Sequence, residues 1–366
     1  MPAFPATQRH NLRGLPPDCE VLSAMRVPED LWYPVLESRE VGRKPLACER
    51  LGQRLVFWRA ADGLPHAHPD RCPHLGAALG GGTVRGDRLA CPFHGFEFDA
   101  EGRCRHVPAL GRQGKIPKGM ALQSFPLREA HGFIWLWRGE SREAYPEVPY
   151  FPQLETGWRH GTVVVEWPVH YTRAIENQLD VAHLAFVHRT TIGAGGRSFV
   201  DGPYVEADQR GIQVWVTNAR DEGQSPRSQA ELAAAAAGKE PGLHFLFPGV
   251  WLLNIGPRLK NFIAFVPVNG QKTRYYLRVY HRIRNPLAAK IFEALIGVAN
   301  RHILAQDRRV VLTQTPTDSA EARQDSLIGA DRAVSQFRRL HARLLQRSGS
   351  VAQAEATPSE SPDTSS

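Results

Sequence analysis

The chain has 366 residues, 42% hydrophobic and 22% charged, which suits a folded protein too long for one ordinary core. Lys and Arg number 45 against 37 Asp and Glu, a net charge of +8. That surplus is spread along the chain, with no basic run interleaved with aromatics. It excludes a nucleic-acid-binding reading and suits docking of an acidic protein. The five cysteines, Cys19, Cys48, Cys72, Cys91 and Cys104, are an odd set and do not read as a disulfide framework.

Residues 1–28, rich in Pro and Arg, read as a leader without the apolar core of a secretory signal. Residues 29–145 show short β-type runs between turn signals: Arg54–Trp58, Arg88–Ala90 leading into Cys91, and Gly132–Trp137. They predict a small all-β domain. The stretch YPEVPYFP, with Pro146, Pro149 and Pro152, reads as a linker.

A second domain is expected over 146–346. It opens with a strand, Gly161–Trp167, and continues with a helix from Tyr171 to His188. Strands follow at Ile212–Thr217, Leu243–Phe247, Val250–Ile255, Phe262–Val266 and Arg274–Ile283, then long helices at about 286–314 and 329–346. This order predicts an antiparallel sheet covered by helices, an α+β domain. Residues 220–241, polar and Ala-rich, read as a mobile insertion or lid, and 347–366 as a disordered tail. No run of about 18 apolar residues occurs, so no membrane span and a cytoplasmic location are expected.

The strongest chemical signal is Cys72-Pro73-His74 with Cys91-Pro92-Phe93-His94-Gly95. Each pair puts one soft sulfur and one nitrogen on a loop. Two such loops facing each other can hold a [2Fe–2S] cluster of the Rieske kind, with two Cys on one iron and two His on the other. A Cys₂His₂ zinc site is the competing reading, although zinc ribbons use Cys–Cys pairs where these loops mix Cys and His. Cys19, Cys48 and Cys104 read as packing or surface thiols. The stretch CPHLGAALGGGTVRGDRLACPFHGFEFDAEGRC resembles the Rieske domain of aromatic ring-hydroxylating oxygenases throughout.

The second signal is Asn177-x-x-Asp180-x-x-His183-x-x-x-x-His188. On one helix, Asp180 and His183 share a face, and His188 requires the helix to end or widen near Val187. Two His facing one pocket are two thirds of a 2-His-1-carboxylate iron site. The string resembles the signature of the Rieske oxygenase catalytic domain. The resemblance implies that His183 and His188 bind a mononuclear Fe(II), with Asn177 nearby. It implies that Asp180 bridges the cluster of one subunit to His183 of the next. The third ligand is implied on a late helix, where Asp307 matches; Asp318, Glu321 and Asp325 are the rivals. His302, on the same helix, reads as a solvated or core residue.

The resemblance covers roughly residues 30–346 and is nearest the vanillate-demethylase, pheophorbide-oxygenase and ketosteroid-hydroxylase branch. The implied fold is a Rieske β-domain joined to a helix-grip catalytic domain. The implied activity is O₂-dependent monooxygenation of an apolar aromatic or polycyclic substrate, with cis-dihydroxylation of an arene as the alternative. A bare Rieske electron carrier would need only the first domain. No dinucleotide fingerprint is present, so electrons are expected from NAD(P)H through a separate flavin reductase, a ferredoxin, or both. A homotrimer is implied. Phe245, Phe247 and Trp251 are candidates to line the substrate pocket, although alternating core residues would look the same.

Overall fold

The computed structural model describes residues 25–355. Most of the expected leader, with Cys19, and the end of the expected tail lie outside the described residues.

The N-terminal part is all β. Its strands are β1 (Leu31–Glu37), β2 (Leu46–Arg50), β3 (Gln53–Arg59), β4 (Pro65–Pro69), β5 (Thr83–Arg85), β6 (Arg88–Ala90), β7 (Glu97–Phe98), β8 (Cys104–His106), β9 (Leu127–Ala130) and β10 (Phe133–Arg138). They form sheets β1-β10-β9, β2-β3-β4 and β5-β6-β7-β8. The FIWLW run of β10 is buried on both faces because it lies between two cores.

The second part carries one seven-stranded antiparallel sheet. Its strands are β11 (Arg159–Trp167), β12 (Phe199–Ala207), β13 (Gly211–Ala219), β14 (Leu243–Leu246), β15 (Val250–Gly256), β16 (Leu259–Asn269) and β17 (Lys272–His281), in the order β11-β17-β16-β15-β14-β13-β12. Among the described residues five α-helices accompany it: α1 (Tyr171–Leu179), α2 (Leu184–Val187), α3 (Gln229–Ala236), α4 (Pro286–Val311) and α5 (Arg332–Glu355). One face of the sheet, with Val163, Ile263, Phe265, Tyr275 and Leu277, packs in the same core as residues of α1, α4 and α5. The other face, with Phe262, Tyr276 and Tyr280, packs on β10. Pro286 at the first turn of α4 and the Asn285 side chain, which accepts from the Leu287 and Ala288 amides, set where that helix starts.

Four expectations differ from the structure. The helix read from Tyr171 to His188 is two pieces, α1 and α2, with Asp180 between them in extended conformation. The Asp180 carboxylate accepts from the Ala182 amide at 2.7 Å and the His183 amide at 3.3 Å, and so replaces helical hydrogen bonds with its own. The YPEVPYFP segment is a packed strap rather than a free linker. Its Phe151 is fully buried, and its Tyr150 hydroxyl lies 2.6 Å from that of Tyr280. Residues 220–241 include α3, started by a Ser228–Glu231 capping box and burying Leu232 and Ala236. α5 runs on to Glu355, past the expected start of the tail at 347.

The two parts are pinned together. The Leu51 and Gly52 amides donate to the Pro267 and Val268 carbonyls, both at 2.8 Å. Buried Arg278 bonds Glu37 at 3.0 Å and donates to the His131 and Gly132 carbonyls. Among the described residues, no helix is long and apolar enough to cross a membrane.

Candidate metal centres

Two loops at one tip of the β-domain carry the first constellation. In one, the Cys72 amide donates to the Ala77 carbonyl and the Gly76 amide to the Cys72 carbonyl. In the other, the Cys91 amide donates to the Phe96 carbonyl and the Gly95 amide to the Cys91 carbonyl. The two loops thus repeat one turn. Each turn needs a positive φ four residues after its cysteine, +76° at Gly76 and +71° at Gly95, which explains glycine there.

The thiols of Cys72 and Cys91 are buried while His74 and His94 are exposed, with their Nδ1 atoms 3.2 Å apart. Burial pushes the Cys72 thiol up to about 11, and the adjoining Cys91 thiol adds to the rise. Two sulfurs inside and two facing imidazole nitrogens outside fit a cluster with one Cys-held and one His-held iron. Cys104 bonds the His106 carbonyl through sulfur at 3.6 Å and packs in the same small core, as a packing thiol should.

The second constellation joins α2 to α4. The His183 Nε2 and His188 Nε2 lie 3.5 Å and 3.0 Å from Oδ1 of Asp307. The ligand atoms of the three residues all lie within 4.8 Å of one another. The hydrogen-bond network assigns the ring protons. His183 Nδ1 faces the Asp180 carbonyl at 3.0 Å, and His188 Nδ1 faces Gln306 Oε1 at 2.8 Å. Both rings donate from Nδ1, so both Nε2 lone pairs point at the carboxylate. Asp307 is only 2% exposed, and its Oδ1 has no hydrogen bond among the described residues. Three converging lone pairs in a buried site need a cation, and two imidazoles with one carboxylate fit a facial iron site. Burial alone would lower the His188 pKa, but the Asp307 carboxylate and the Gln306 carbonyl raise it, which marks the same demand for positive charge.

Asp180 sits beside His183, though not on a shared helical face as expected. Its backbone carbonyl, not its carboxylate, holds the ring; Oδ2 lies 3.6 Å from Nδ1 and is partly exposed. Asn177, in the last turn of α1, has a buried Nδ2 with no partner among the described residues. His302 is exposed and accepts weakly from Gln306 at 3.3 Å, as a solvated residue would. Asp318 caps a short turn through the Ala320 amide, and Asp325 pairs with Arg173 and Arg338, so these rivals are engaged elsewhere. Phe247 stacks on Phe337 of α5 and Phe245 meets the same ring edge-on, while the Trp251 indole donates to the Gln178 carbonyl of α1. Gln306 and Thr191, which bond each other at 3.0 Å behind His188, were missed by sequence reasoning. A polar pair, Gln306-Asp307, between the apolar Leu304 and Val311 was the available signal.

An all-β cluster domain joined to a helix-covered antiparallel sheet, with one candidate metal constellation in each, defines a Rieske-type protein with a second candidate metal site. Residues 31–126 match the Rieske [2Fe-2S] domain, and residues 167–347 match the vanillate O-demethylase oxygenase C-terminal domain. The chain belongs to the Rieske non-haem iron oxygenases. It is 35% identical over 198 residues to a putative toluene-4-sulfonate monooxygenase iron-sulfur subunit of Comamonas testosteroni, covering 52% of this chain and 56% of that one. It is 32% identical over 168 residues to the vanillate O-demethylase oxygenase subunit of a Pseudomonas species, covering 45% and 46%. The chain thus spans about half the length of the curated relatives it matches. Dicamba monooxygenase bound to dicamba shares the fold at a TM-score of 0.71 and 21% identity, over 89% of this chain and 99% of that one.

Proposed function

We propose that the protein is the terminal oxygenase component of a Rieske system and uses O₂ to hydroxylate or demethylate an aromatic or polycyclic substrate. The observation that carries this reading is the His183–His188–Asp307 triad, with His188 and Asp307 buried and His183 half-buried, in the chain that also holds Cys72, His74, Cys91 and His94. An electron carrier needs only the second set. The names of the relatives, toluene-4-sulfonate monooxygenase and vanillate O-demethylase, point the same way for those proteins.

When bound, the mononuclear iron supplies O₂ activation. His183 and His188 would hold it, and Asp307 would balance its charge. The Asp180 carbonyl and the Gln306 amide keep both rings aimed inward. Electrons come from NAD(P)H through a separate flavin reductase or ferredoxin and enter at the exposed His74–His94 tip. In a homotrimer, His94 of one subunit meets Asp180 of the next. Support comes from exposed apolar side chains on both surfaces, Leu75 and Phe93 at the tip, Phe186 and Ile192 beside the triad. Residues 220–241 govern substrate entry.

Metal analysis of anaerobically prepared protein is the test. Wild type should carry three irons and two labile sulfides per chain, and His183→Ala or His188→Ala should lose one iron while keeping the cluster spectrum. Zinc without labile sulfide would refute the reading. Asp180→Asn should keep both metals yet nearly abolish turnover. Verified mixed trimers of Cys72→Ser and His183→Ala chains should recover activity that neither homotrimer has, and inactive mixed trimers would end the inter-subunit route.

A further inference from the structure

Two buried polar groups near the triad are unaccounted for by metal binding. Asn300 is 5% exposed and its Nδ2 has no hydrogen-bond partner among the described residues. Tyr275 is fully buried and its hydroxyl is equally unpartnered. Buried polar groups are nearly always satisfied, so an orphan pair marks a place where a partner comes from outside the chain.

Their positions put them on the same face of the fold. Tyr275 alternates with Tyr276, which packs on β10 from the opposite face, and belongs to the face of the sheet shared with Ile263, Phe265 and Leu277. α4 crosses this face, with Gly297 next to Val163 of β11. Tyr275 pairs with Val165, two residues further along β11, which brings it level with the next turn of α4, where Asn300 lies. Asn300 and Asp307 are seven residues apart on α4, hence on one side of the helix and about 10 Å apart along its axis. The Asp307 carboxylate also acts on the Tyr275 phenol, which burial and that charge hold protonated.

The charges of this region constrain the ligand. Arg173 is engaged by Glu176 and Asp325, and Arg278 by Glu37 on the opposite face of the sheet. The buried Lys and Arg among the described residues are Arg50, Arg173, Lys260 and Arg278, and of these Arg50 is held by the Val35 and Glu49 carbonyls and Lys260 by Glu240. An anionic group there would lie unpaired near the Asp307 carboxylate, an unfavourable arrangement in a dry site.

We propose that Asn300 and Tyr275 form the polar end of the substrate site and donate hydrogen bonds to one uncharged oxygen, a carbonyl or an aryl ether, of a fused-ring substrate. The carbon to be oxidised then lies toward Asp307, about two helical turns away. This deepens the oxygenase reading and rests on it. It also separates this chain from relatives named for sulfonate and carboxylate substrates.

The test is equilibrium dialysis of metal-loaded protein against matched probes: 1-tetralone with tetralin, 9-fluorenone with fluorene, and 1-naphthoate as the anionic arm. The ketone of each pair should bind about tenfold tighter than its hydrocarbon, the worth of one or two hydrogen bonds to a buried acceptor. Asn300→Leu should remove most of the preference, Tyr275→Phe part of it, and both should keep the cluster spectrum and full iron content. Several results would overturn the proposal: no preference in either pair, whether the probes bind or not; tighter retention of 1-naphthoate; or a preference that survives both substitutions. Any of these would leave ordered water as the partner of the two groups. Neither residue is a metal ligand, so absence of mononuclear iron would sink the oxygenase reading while the ketone preference remained readable.

Discussion

Gln306 shows how a neutral amide can set the chemistry of a neighbour. Its Oε1 accepts from His188 Nδ1 at 2.8 Å and from the Thr191 hydroxyl at 3.0 Å, while its Nε2 leans on His302. This leaves the ring one tautomer and one orientation. Gln306→Leu should weaken mononuclear iron binding by about 10–100-fold, the usual effect of removing such a partner, with the cluster spectrum unchanged. Chelator competition measures it, and an unchanged iron affinity would show that packing alone aims His188. The candidate ligands were legible because few residue types bind iron and their spacing is restrictive. Gln306, Asn300 and Tyr275 were not, since an amide or a phenol becomes informative only once the fold shows what it lacks or holds. For Gln306 that required bringing α4 against a turn more than a hundred residues earlier.

The expected helix from Tyr171 to His188 fails at one side chain. Leu179, Val181, Leu184 and Val187 continue an apolar rhythm through the break, so periodicity alone reads one helix. The Asp180 carboxylate wins locally by capping the following turn, and α2 restarts with its own four-residue turn carrying His183 and His188 at its ends. Strong two-residue alternation made the long strands of the sheet readable. The missed β12 contains Gly202 and Pro203 and lies at the sheet edge, where the pattern is weak. α5 supports a pH prediction. Its His341 is buried, its Nε2 lies 2.6 Å from the Tyr171 hydroxyl, and burial lowers its pKa to about 4. Above about 6.5 both folded and unfolded forms are neutral and the group is indifferent to pH. Between about 6.5 and 4 the unfolded chain takes up a proton that the folded chain refuses, so stability falls as pH drops. Tm should therefore decline from pH 7 to pH 5, and His341→Gln should flatten the decline. A variant with the wild-type slope would move the sensitivity to His68 or His160, both also lowered to about 4 by burial.

At the scale of the whole molecule, the two parts share a core rather than a hinge. β1 contributes Tyr33, Val35 and Leu36 to the core that also holds Trp167, Phe265 and Leu304, and the YPEVPYFP strap is buried alongside. The Arg278–Glu37 pair at the seam has side chains only 2% and 4% exposed. Glu37→Gln, which strands the buried guanidinium, should cost about 3–5 kcal/mol. Loss of cluster colour and of far-ultraviolet signal should coincide on heating in wild type and variant alike. Separate transitions would show that the cluster domain melts alone.

The asymmetry of the cluster tip has a consequence in time. The thiols of Cys72 and Cys91 are sealed inside, and only His74 and His94 reach the surface, framed by Leu75 and Phe93. With one exposed window, loading and unloading of an electron compete for the same few side chains. In the homotrimer proposed above, a reductase and the neighbouring subunit would have to share that window. Each turnover would then be a rota, in which the proposed intersubunit contact opens before the next electron arrives. Raising the reductase concentration without limit should eventually slow the enzyme instead of saturating it.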